Sequence, residues 1–374
     1  MTAVTLIGCG FVADLYMRSL KSFPQVRVLG AFDRDPARLQ AFCAHWGVAA
    51  LAGLDALFAV QPRDGVILNL TNPDQHFTVN RTCLEAGFHV YSEKPLAMAM
   101  PDAIALHALA GSKRLLLASA PCSVLGQAAQ TLGHAVRSGV AGPPRLIYAE
   151  LDDGFIPQAP VDKWVSESGA NWPYADEFRV GCTLEHAGYY LSWLIGMFGT
   201  VRTVVAASAH VIPDKRGVAD TAPDFSVATL FFDAGPVARL TCSIVAPHDH
   251  RIRVVGDLGV LEVGKAWDNA AKVTFRRRIA VRRRLLESPM ARRIRLPGPT
   301  HPMVGRWGAA SMNFALGPVE MLTAIAERRP CRLSADFALH LNEVTLAIQN
   351  AGEAAGAQAM QTRCAPMEPM PWAR

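Results

Sequence analysis

The first thirty-three residues constrain the fold more than any other stretch of the chain. An apolar, partly β-branched run over residues 4–7 leads into Gly8-Cys9-Gly10-Phe11-Val12-Ala13, then a helix-like stretch over 14–23, then an apolar run over 26–32 that ends in Asp33. This order predicts a strand, a glycine turn, a helix, a second strand and an acid. Gly8 permits a tight turn, Gly10 lets the backbone approach a pyrophosphate, and Ala13 lets the helix pack closely on the sheet.

The turn predicts a dinucleotide site. The N-terminus of the following helix, with Phe11 and Val12 in its first turn, offers free N–H groups and a positive dipole end to phosphates. Asp33 could accept hydrogen bonds from the ribose hydroxyls of an adenosine, which favours NAD. Arg34 beside it could pair with a 2′-phosphate, so NADP stays an alternative. A glycine turn that binds nothing and an acid that caps the next helix are the plainer interpretations.

Length and composition set the outer bounds. At 374 residues the chain is long enough for two domains, which we expect over 1–122 and 123–374. The eight cysteines are scattered without a Cys-x-x-Cys pair, and no histidine has metal-finger spacing, so we expect reduced thiols and no metal site. The chain shows no basic-then-apolar leader and no apolar run of about 18 residues. We therefore expect a cytoplasmic protein without a membrane span.

The first third of the chain alternates strands and helices. Further strands are expected over 65–70, 87–92 (counted here as the fifth) and 114–119, with helical stretches between them. This alternation predicts a parallel sheet covered by helices on both faces, the doubly wound Rossmann architecture. Ligands of such sheets bind at the carboxyl ends of the strands. Gly8, Asp33, Thr71 and Lys94 all fall there.

The rest of the chain reads as an α+β domain. Helices are expected over 123–138, 182–198, 311–328 and 335–354. Strand-like runs follow one another without intervening helices over 145–152, 201–211, 225–232, 237–245, 250–255 and 259–263. Such a pattern predicts a large, mainly antiparallel sheet with helices on one face and the other face open.

Several motifs together resemble one enzyme family. Besides the glycine turn and Asp33, they are Thr71-Asn72-Pro73 and the more specific Glu93-Lys94-Pro95. The sequence resembles the glucose–fructose oxidoreductase/inositol dehydrogenase (Gfo/Idh/MocA) family over nearly its whole length. The resemblance implies an NAD(P)-dependent oxidoreductase acting on sugars, cyclitols or nucleotide sugars, and a homodimer or homotetramer formed through the open sheet. It also implies that Lys94 contacts both nicotinamide and substrate, and a cis peptide before Pro95.

The residues expected to act with Lys94 depart from the family pattern. The family has an Asp and, four residues later, a His; here the aligned pair is Glu185 and Tyr189, while the histidine is His186. Glu185 and Tyr189 share a helix face. Either Tyr189 replaces the usual histidine, or the register slips and His186, with the better pKa for proton transfer, serves instead. Trp164, Asn171, Trp172 and Arg179 are expected to line the substrate pocket.

Other candidates carry two interpretations each. Thr71, Asn72, Pro73, His76 and Glu93 are expected at the cofactor. His76 is equally a capping or packing histidine, and Glu93 equally a structural residue that holds its turn. Lys94 is either a surface lysine or the proton-transfer group, whose pKa burial beside a nicotinamide would lower.

One segment is strongly basic. Ten Lys and Arg residues and the single acid Glu287 lie between Lys272 and Arg295, a net +9, which leaves −4 for the remainder of a chain of net +5. The segment is a solvated hairpin, a contact for anionic or nucleotide-sugar substrates, or a surface attracted to membranes or nucleic acid. The absence of interleaved aromatic residues between Arg276 and Arg295 disfavours single-stranded nucleic acid.

Taken together, the sequence predicts a reversible sugar or cyclitol dehydrogenase in which Lys94, with Tyr189 or His186, manages the hydroxyl proton. Two alternatives remain. One is a glycosidase that retains NAD and acts through transient oxidation. The other is a non-catalytic sensor that binds a dinucleotide.

Overall fold

The N-terminal part of the chain builds a five-stranded parallel sheet. The computed structural model describes residues 2–306 and 308–374. The strands lie in the order β2-β1-β3-β4-β5, all parallel, where β1 is Thr2–Ile7, β2 Val26–Phe32, β3 Val66–Asn69, β4 His89–Ser92 and β5 Leu117–Ser119. The predicted doubly wound sheet is thereby confirmed. Its strand order reverses between β1 and β3, which opens a crevice at their carboxyl ends.

The N-terminal part of the chain also supplies helices that pack with this sheet. They are α1 Phe11–Leu20, α2 Pro36–Trp46, α3 Leu54–Val60, α4 His76–Glu85 and α5 Met100–Lys113. Local sequence fixes α2: Asp35 accepts hydrogen bonds from the N–H groups of Ala37 and Arg38, and Gly47 ends the helix in a left-handed conformation. Because the chain at 47–48 forms no strand, β4 is the fourth strand and not the fifth.

The second sheet is mainly antiparallel, as expected. Its order is β13-β12-β11-β10-β6-β9-β8-β7-β15, with β14 paired to β12, and β6 and β9 form its parallel pair. Its strands are β6 Pro144–Asp152, β7 Val201–Ala209, β8 Phe225–Phe232, β9 Val237–Ser243, β10 Ile252–Gly256, β11 Gly259–Val263, β12 Val273–Val281, β13 Arg284–Glu287, β14 Arg292–Ile294 and β15 Ala357–Ala359. Burial alternates along β8, so one face meets the core and the other is more open.

Helices tie the two sheets together. They are α6 Gln127–Arg137, α7 Tyr174–Val180, α8 Gly188–Phe198, α9 Leu316–Glu327 and α10 Ala335–Gln349. Although α9 lies late in the chain, it packs on β3, β4 and β5 of the first sheet, while α10 contacts both α5 and β7. One continuous hydrophobic core therefore includes residues of both sheets. The division at residue 122 stays a prediction.

The basic segment forms an exposed extension of the second sheet. Its strands β12 and β13 pair in a hairpin whose turn places Arg282 at a φ of 53°. Leu285, 66% exposed, projects from it beside the arginines. The hairpin interpretation of this segment agrees with the structure.

Within the described part of the chain, no helix is both long and apolar enough to cross a membrane.

Candidate active site

The glycine turn shapes the crevice at the end of β1. Gly8 has a φ of 97°, and a Cβ there would lie 2.6 Å from the carbonyl oxygen of Leu70, so only glycine lets the two strand ends approach so closely. A Cβ on Gly10, by contrast, would meet nothing within 4 Å. Gly10 precedes α1, whose first N–H groups have no side-chain cap. This open helix N-terminus fits a pyrophosphate.

Asp33 stands at the end of β2 and is 7% exposed. Its Oδ2 accepts the N–H of Cys9 at 2.8 Å and its Oδ1 accepts the N–H of Asp35 at 2.8 Å. These bonds fix the carboxylate and leave it lone pairs for further donors. The guanidinium beside it is that of Arg38, at 3.7 Å; Arg34 and Arg38 are both exposed. Arg38 was not singled out from the sequence.

Most of the predicted site residues line one cavity of about 1110 Å³ between the two sheets. It extends from the glycine turn past the ends of β3 and β4 to the wall formed by the second sheet. The predicted residues that line it are Gly10, Phe11, Val12, Thr71, Asn72, Pro73, Glu93, Lys94, Trp164, Trp172, Glu185, His186 and Tyr189. Ala13 is fully buried under α1, which agrees with its packing role.

Lys94 follows β4 and reaches into this cavity. Its Nζ forms an ion pair with Glu185, which is 4% exposed. Burial alone would lower the pKa of Lys94, but the charge of Glu185 outweighs burial and raises that pKa above its ordinary value. The lowered pKa expected from burial is therefore wrong for this arrangement, because the lysine has carboxylate partners. The peptide between Lys94 and Pro95 is cis.

Glu177, on α7, is a site residue that the sequence analysis missed. Burial raises the pKa of its carboxyl group well above the ordinary value, and the neighbouring charge of Glu185 adds to the effect. A protonated Glu177 can donate a hydrogen bond to Glu185, so one proton serves two carboxyl groups beside Lys94. No motif or spacing around Glu177 marked it, because only the packing of α7 against the crevice brings it there.

Buried hydrogen bonds hold the Glu93-Lys94-Pro95 turn in place. Glu93 accepts the Tyr16 hydroxyl at 2.6 Å and the N–H of Lys94 at 3.0 Å. The ring nitrogens of His76 lie 2.6 Å from the Pro95 carbonyl oxygen and 2.9 Å from that of Thr71. His76 is fully buried, and since both nitrogens are engaged, none faces the cleft. The packing interpretation of His76 thus replaces the cofactor contact. Glu93 holds its turn and also lines the cavity, so both interpretations of Glu93 stay open.

The loop after β3 links the parallel sheet to the cleft wall. The Thr71 hydroxyl donates to the Asn69 side chain at 2.7 Å, and the Asn72 amide donates to Asp176 of α7 at 2.5 Å. Asn72 therefore helps to position α7, and with it Glu177.

A π-helical turn, Thr183–Ala187, contains His186 and leads into α8, which carries Tyr189, and both of these alternative partners of Lys94 line the cavity. In a π-helical turn the backbone hydrogen bonds join residues i and i+5, so the side chains point in different directions from those of an α-helix. Such turns are common at functional sites. Tyr189 packs against Trp267 with ring centroids 4.4 Å apart, while His186 Nδ1 lies 2.7 Å from Asp153 Oδ2. Burial raises the pKa of Tyr189 above its ordinary value. Its hydroxyl therefore stays protonated.

The predicted substrate segment is placed correctly only in part. Trp164 and Trp172 line the cavity together, with ring centroids 4.9 Å apart. Arg179 was predicted wrongly, because its side chain is 51% exposed and lies 3.5 Å from Asp176. Two residues along a helix turn the chain by about 200°, so α7 directs Glu177 inward and Arg179 outward. Asn171 is exposed and its backbone pairs with Val165, so it also falls outside the pocket.

A second polar cluster on the cleft wall was missed. His250 Nε2 lies 2.8 Å from Asp153 Oδ1, and His248 Nδ1 lies 4.0 Å from the same oxygen. Burial alone would raise the pKa of Asp153, but His186 and His250 hold it well below its ordinary value. The sequence carried a signal: His248-Asp249-His250 places two imidazoles on one side of an extended chain.

Two family models match consecutive parts of the chain. A family model described as an oxidoreductase family with an NAD-binding Rossmann fold matches residues 2–120. A second model, described as the GFO/IDH/MocA C-terminal domain, matches residues 129–262.

Individual relatives have low sequence identity to this chain but match more than half of its length. The chain is 25% identical over 267 residues to trans-1,2-dihydrobenzene-1,2-diol dehydrogenase of Mus musculus, covering 70% of this chain and 74% of that protein. It is 27% identical over 223 residues to UDP-N-acetylglucosamine 3-dehydrogenase of Acidithiobacillus ferrooxidans, covering 56% of this chain and 68% of that protein.

Solved structures share the fold. The A. ferrooxidans enzyme superposes with a TM-score of 0.71 at 21% identity, covering 95% of this chain and 99% of that one. An oxidoreductase from Agrobacterium radiobacter, solved in complex with NAD⁺, L-tartaric acid and magnesium, gives a TM-score of 0.73 at 15% identity and covers 96% and 98%.

Proposed function

The chain belongs to the GFO/IDH/MocA family of NAD(P)-dependent oxidoreductases, and from this premise we propose that it interconverts a hydroxyl and a keto carbon of a sugar, cyclitol or nucleotide sugar. One observation carries the proposal: Lys94, 17% exposed and ion-paired with Glu185, lines with Tyr189 the cavity that begins at the dinucleotide turn. The dehydrogenases of sugars and dihydrodiols among its relatives support this substrate class.

The residues around the cavity support a division of labour for the cofactor. Gly10 and the start of α1 would hold the pyrophosphate, and Asp33 would accept the ribose hydroxyls. Bound NAD(P) supplies the redox chemistry by exchanging a hydride at its nicotinamide ring. The protein must then bind and orient the substrate and move one proton.

We assign the proton to the Lys94–Glu185 pair. In oxidation, Lys94 accepts the hydroxyl proton while it passes one of its own N–H protons to Glu185, so the lysine keeps its positive charge. Reduction reverses both transfers, and the protonated Glu177 stabilises the Glu185 carboxylate by donating a hydrogen bond to it while Glu185 is ionised. This relay needs no lowered lysine pKa, which agrees with the raised pKa of Lys94.

We assign Tyr189, and not His186, as the partner that orients the substrate oxygen. The Tyr189 hydroxyl interacts electrostatically with Lys94 and stays protonated, so it is a hydrogen-bond donor. The Nδ1 of His186 is engaged with Asp153. Trp164 and Trp172 provide flat apolar surface for the carbon face of a ring-shaped substrate.

The open face of the second sheet is our proposed contact between subunits of a homodimer or homotetramer. Leu146 and Val205 are each 41% exposed on its strands. Size-exclusion chromatography with light scattering should give a mass of two or four chains, and a monomer would refute the contact.

A substrate panel tests the proposed function. Sugars, cyclitols and nucleotide sugars are offered with NAD or NADP, and NADH or NADPH fluorescence is recorded. Net, substrate-dependent release of reduced cofactor supports a dehydrogenase. Cleavage of a glycoside without net reduction would instead identify a glycosidase that retains NAD, and tight NAD binding without turnover would identify a sensor.

A further inference from the structure

The cleft wall carries a cluster of metal-ligating side chains that the proposed reaction does not use. Asp152 and Asp249 pair across the ends of two neighbouring strands, each donating its N–H to the other's carbonyl oxygen at 3.0 Å. Since side chains alternate along extended chains, this register places Asp153, His248 and His250 on the same side. All three line the cavity that holds Lys94.

The separations in this cluster suit a metal ion. One ligand atom from each residue can be chosen so that all lie within 4.8 Å of one another. Metal bonds of 2.0–2.2 Å in a tetrahedral arrangement require ligand atoms roughly 3.4 Å apart. The distances from Asp153 Oδ1 to His250 and to His248, 2.8 Å and 4.0 Å, lie on either side of that value. Rotation of the exposed His248 ring would shorten the longer of the two distances.

Neighbouring residues fix the orientation of Asp153 and His250 by hydrogen bonding and packing, as residues around metal ligands commonly do. Asp153 uses its second oxygen, Oδ2, for His186 at 2.7 Å, so Oδ1, which faces His250 Nε2 at 2.8 Å, is the oxygen that would bind a metal. The His250 ring stacks on Trp267, with centroids 5.7 Å apart and planes 26° from parallel. Both Asp153 and His250 side chains are only 12% exposed. Hydrogen bonds and packing that fix ligand orientation strengthen metal binding.

We propose that Asp153, His248 and His250 form a binding site for a divalent transition-metal ion, Zn²⁺ by preference, on the wall of the active-site cleft. Two imidazoles and one carboxylate favour Zn²⁺ or a similar ion over Mg²⁺ and Ca²⁺, which prefer oxygen ligands only. Three protein ligands leave at least one coordination position for a substrate hydroxyl or carboxylate oxygen. That last step rests on the proposed function, whereas metal binding itself does not.

Metal binding is measured directly on the full chain after chelator treatment. Isothermal titration with Zn²⁺, and the visible absorption of Co²⁺ as a second readout, should reveal one site per chain. His248→Ala should weaken that site by at least about tenfold. His248 is 71% exposed, so the variant should fold normally. His107→Ala is the matched control. His107 also lies close to a carboxylate, at 2.6 Å from Asp336, but it is not one of the residues that line the cleft.

The outcomes separate this site from the dehydrogenase assignment. Stoichiometric binding that His248→Ala weakens and His107→Ala leaves unchanged supports the site, whether or not any sugar turns over. No stoichiometric binding, or equal affinity in His248→Ala, would overturn it. With a substrate found in the panel, chelation should raise the wild-type KM by about tenfold and leave the KM of His248→Ala unchanged. An unchanged wild-type KM would refute the substrate contact.

Discussion

Replacing Glu177 with Gln should make the protein more stable at neutral pH, although the residue lies in the active site. In the folded protein, burial and the adjacent Glu185 raise the pKa of Glu177, so its carboxyl group stays protonated. In the unfolded chain the same group ionises near its ordinary pKa of 4.5. Folding above that pH therefore requires proton uptake, which costs free energy. Gln has the shape of a protonated Glu, can donate the same hydrogen bond to Glu185 and needs no proton.

The size of the effect follows from the pH dependence. A folded pKa above the unfolded value gives stability that is complete below the unfolded pKa and is lost as the pH rises toward the folded one. Each pH unit in that interval costs about 1.4 kcal/mol. Glu177→Gln should therefore gain at most about 1.4 kcal/mol over wild type for each pH unit above the unfolded pKa, and less because Glu177 is partly exposed to the cleft and screened by solvent.

Urea denaturation of wild type and Glu177→Gln between pH 4 and pH 8 tests this reasoning. The two free energies of unfolding should agree near pH 4.5 and diverge as the pH rises, with the variant more stable. Glu85→Gln is the matched control, since Glu85 is paired with Arg81 on an exposed helix face and should change stability by less than about 0.5 kcal/mol at every pH. A Glu177→Gln protein that is less stable than wild type from pH 5 to pH 8 would show that Glu177 is ionised.

Three further changes have defined outcomes. Asp33→Ser should relax or reverse a preference for NAD over NADP, because the carboxylate repels a 2′-phosphate. If the wild-type dissociation constants show that NADP binds at least as tightly as NAD, this role of Asp33 is refuted. Replacing Arg282, Arg283 and Arg284 with Gln should change the free energy of unfolding by less than about 0.5 kcal/mol, since all three are exposed; a large loss would mean that they are paired within the fold. Burial lowers the pKa of His340 to about 4. Acidification from pH 6.5 to pH 4 should therefore lower the free energy of unfolding by up to roughly 3 kcal/mol. If His340 is responsible, His340→Gln should flatten that part of the stability profile.

The cofactor side of the site could be predicted because its signals are local. The glycine turn, Asp33 and the residues after β3 and β4 each sit at a strand end, and parallel strands bring their carboxyl ends to one edge. Lys94 followed from the same rule. The second sheet could also be predicted from local sequence, because successive strands without helices between them usually form an antiparallel sheet.

The substrate side could be predicted only in part, because it is assembled from distant segments. Glu177 and Arg179 lie two residues apart on a short helix, and only its packing decides which of them faces the cleft. Asp153 and His250 meet through the pairing of strands that are far apart in sequence. The sequence carries no signature of the π-helical turn, so it could not decide between Tyr189 and His186 as the partner of Lys94. In the structure both line the cavity, Tyr189 against Trp267 and His186 beside Asp153.

The turnover of Lys94→Ala tests the proposed mechanism most directly, because Lys94 is the residue assigned to move the substrate proton. With a substrate from the panel, kcat should fall by about 10²–10⁴, the range expected for loss of a positioned proton-transfer group. NAD affinity, measured in parallel by fluorescence titration, should stay within a few-fold, because the phosphate and ribose contacts lie elsewhere and a folded crevice is needed to bind the cofactor. Tyr189→Phe should show a comparable loss and His186→Ala a mild one. Normal turnover by Lys94→Ala at unchanged NAD affinity would contradict the mechanism at its centre.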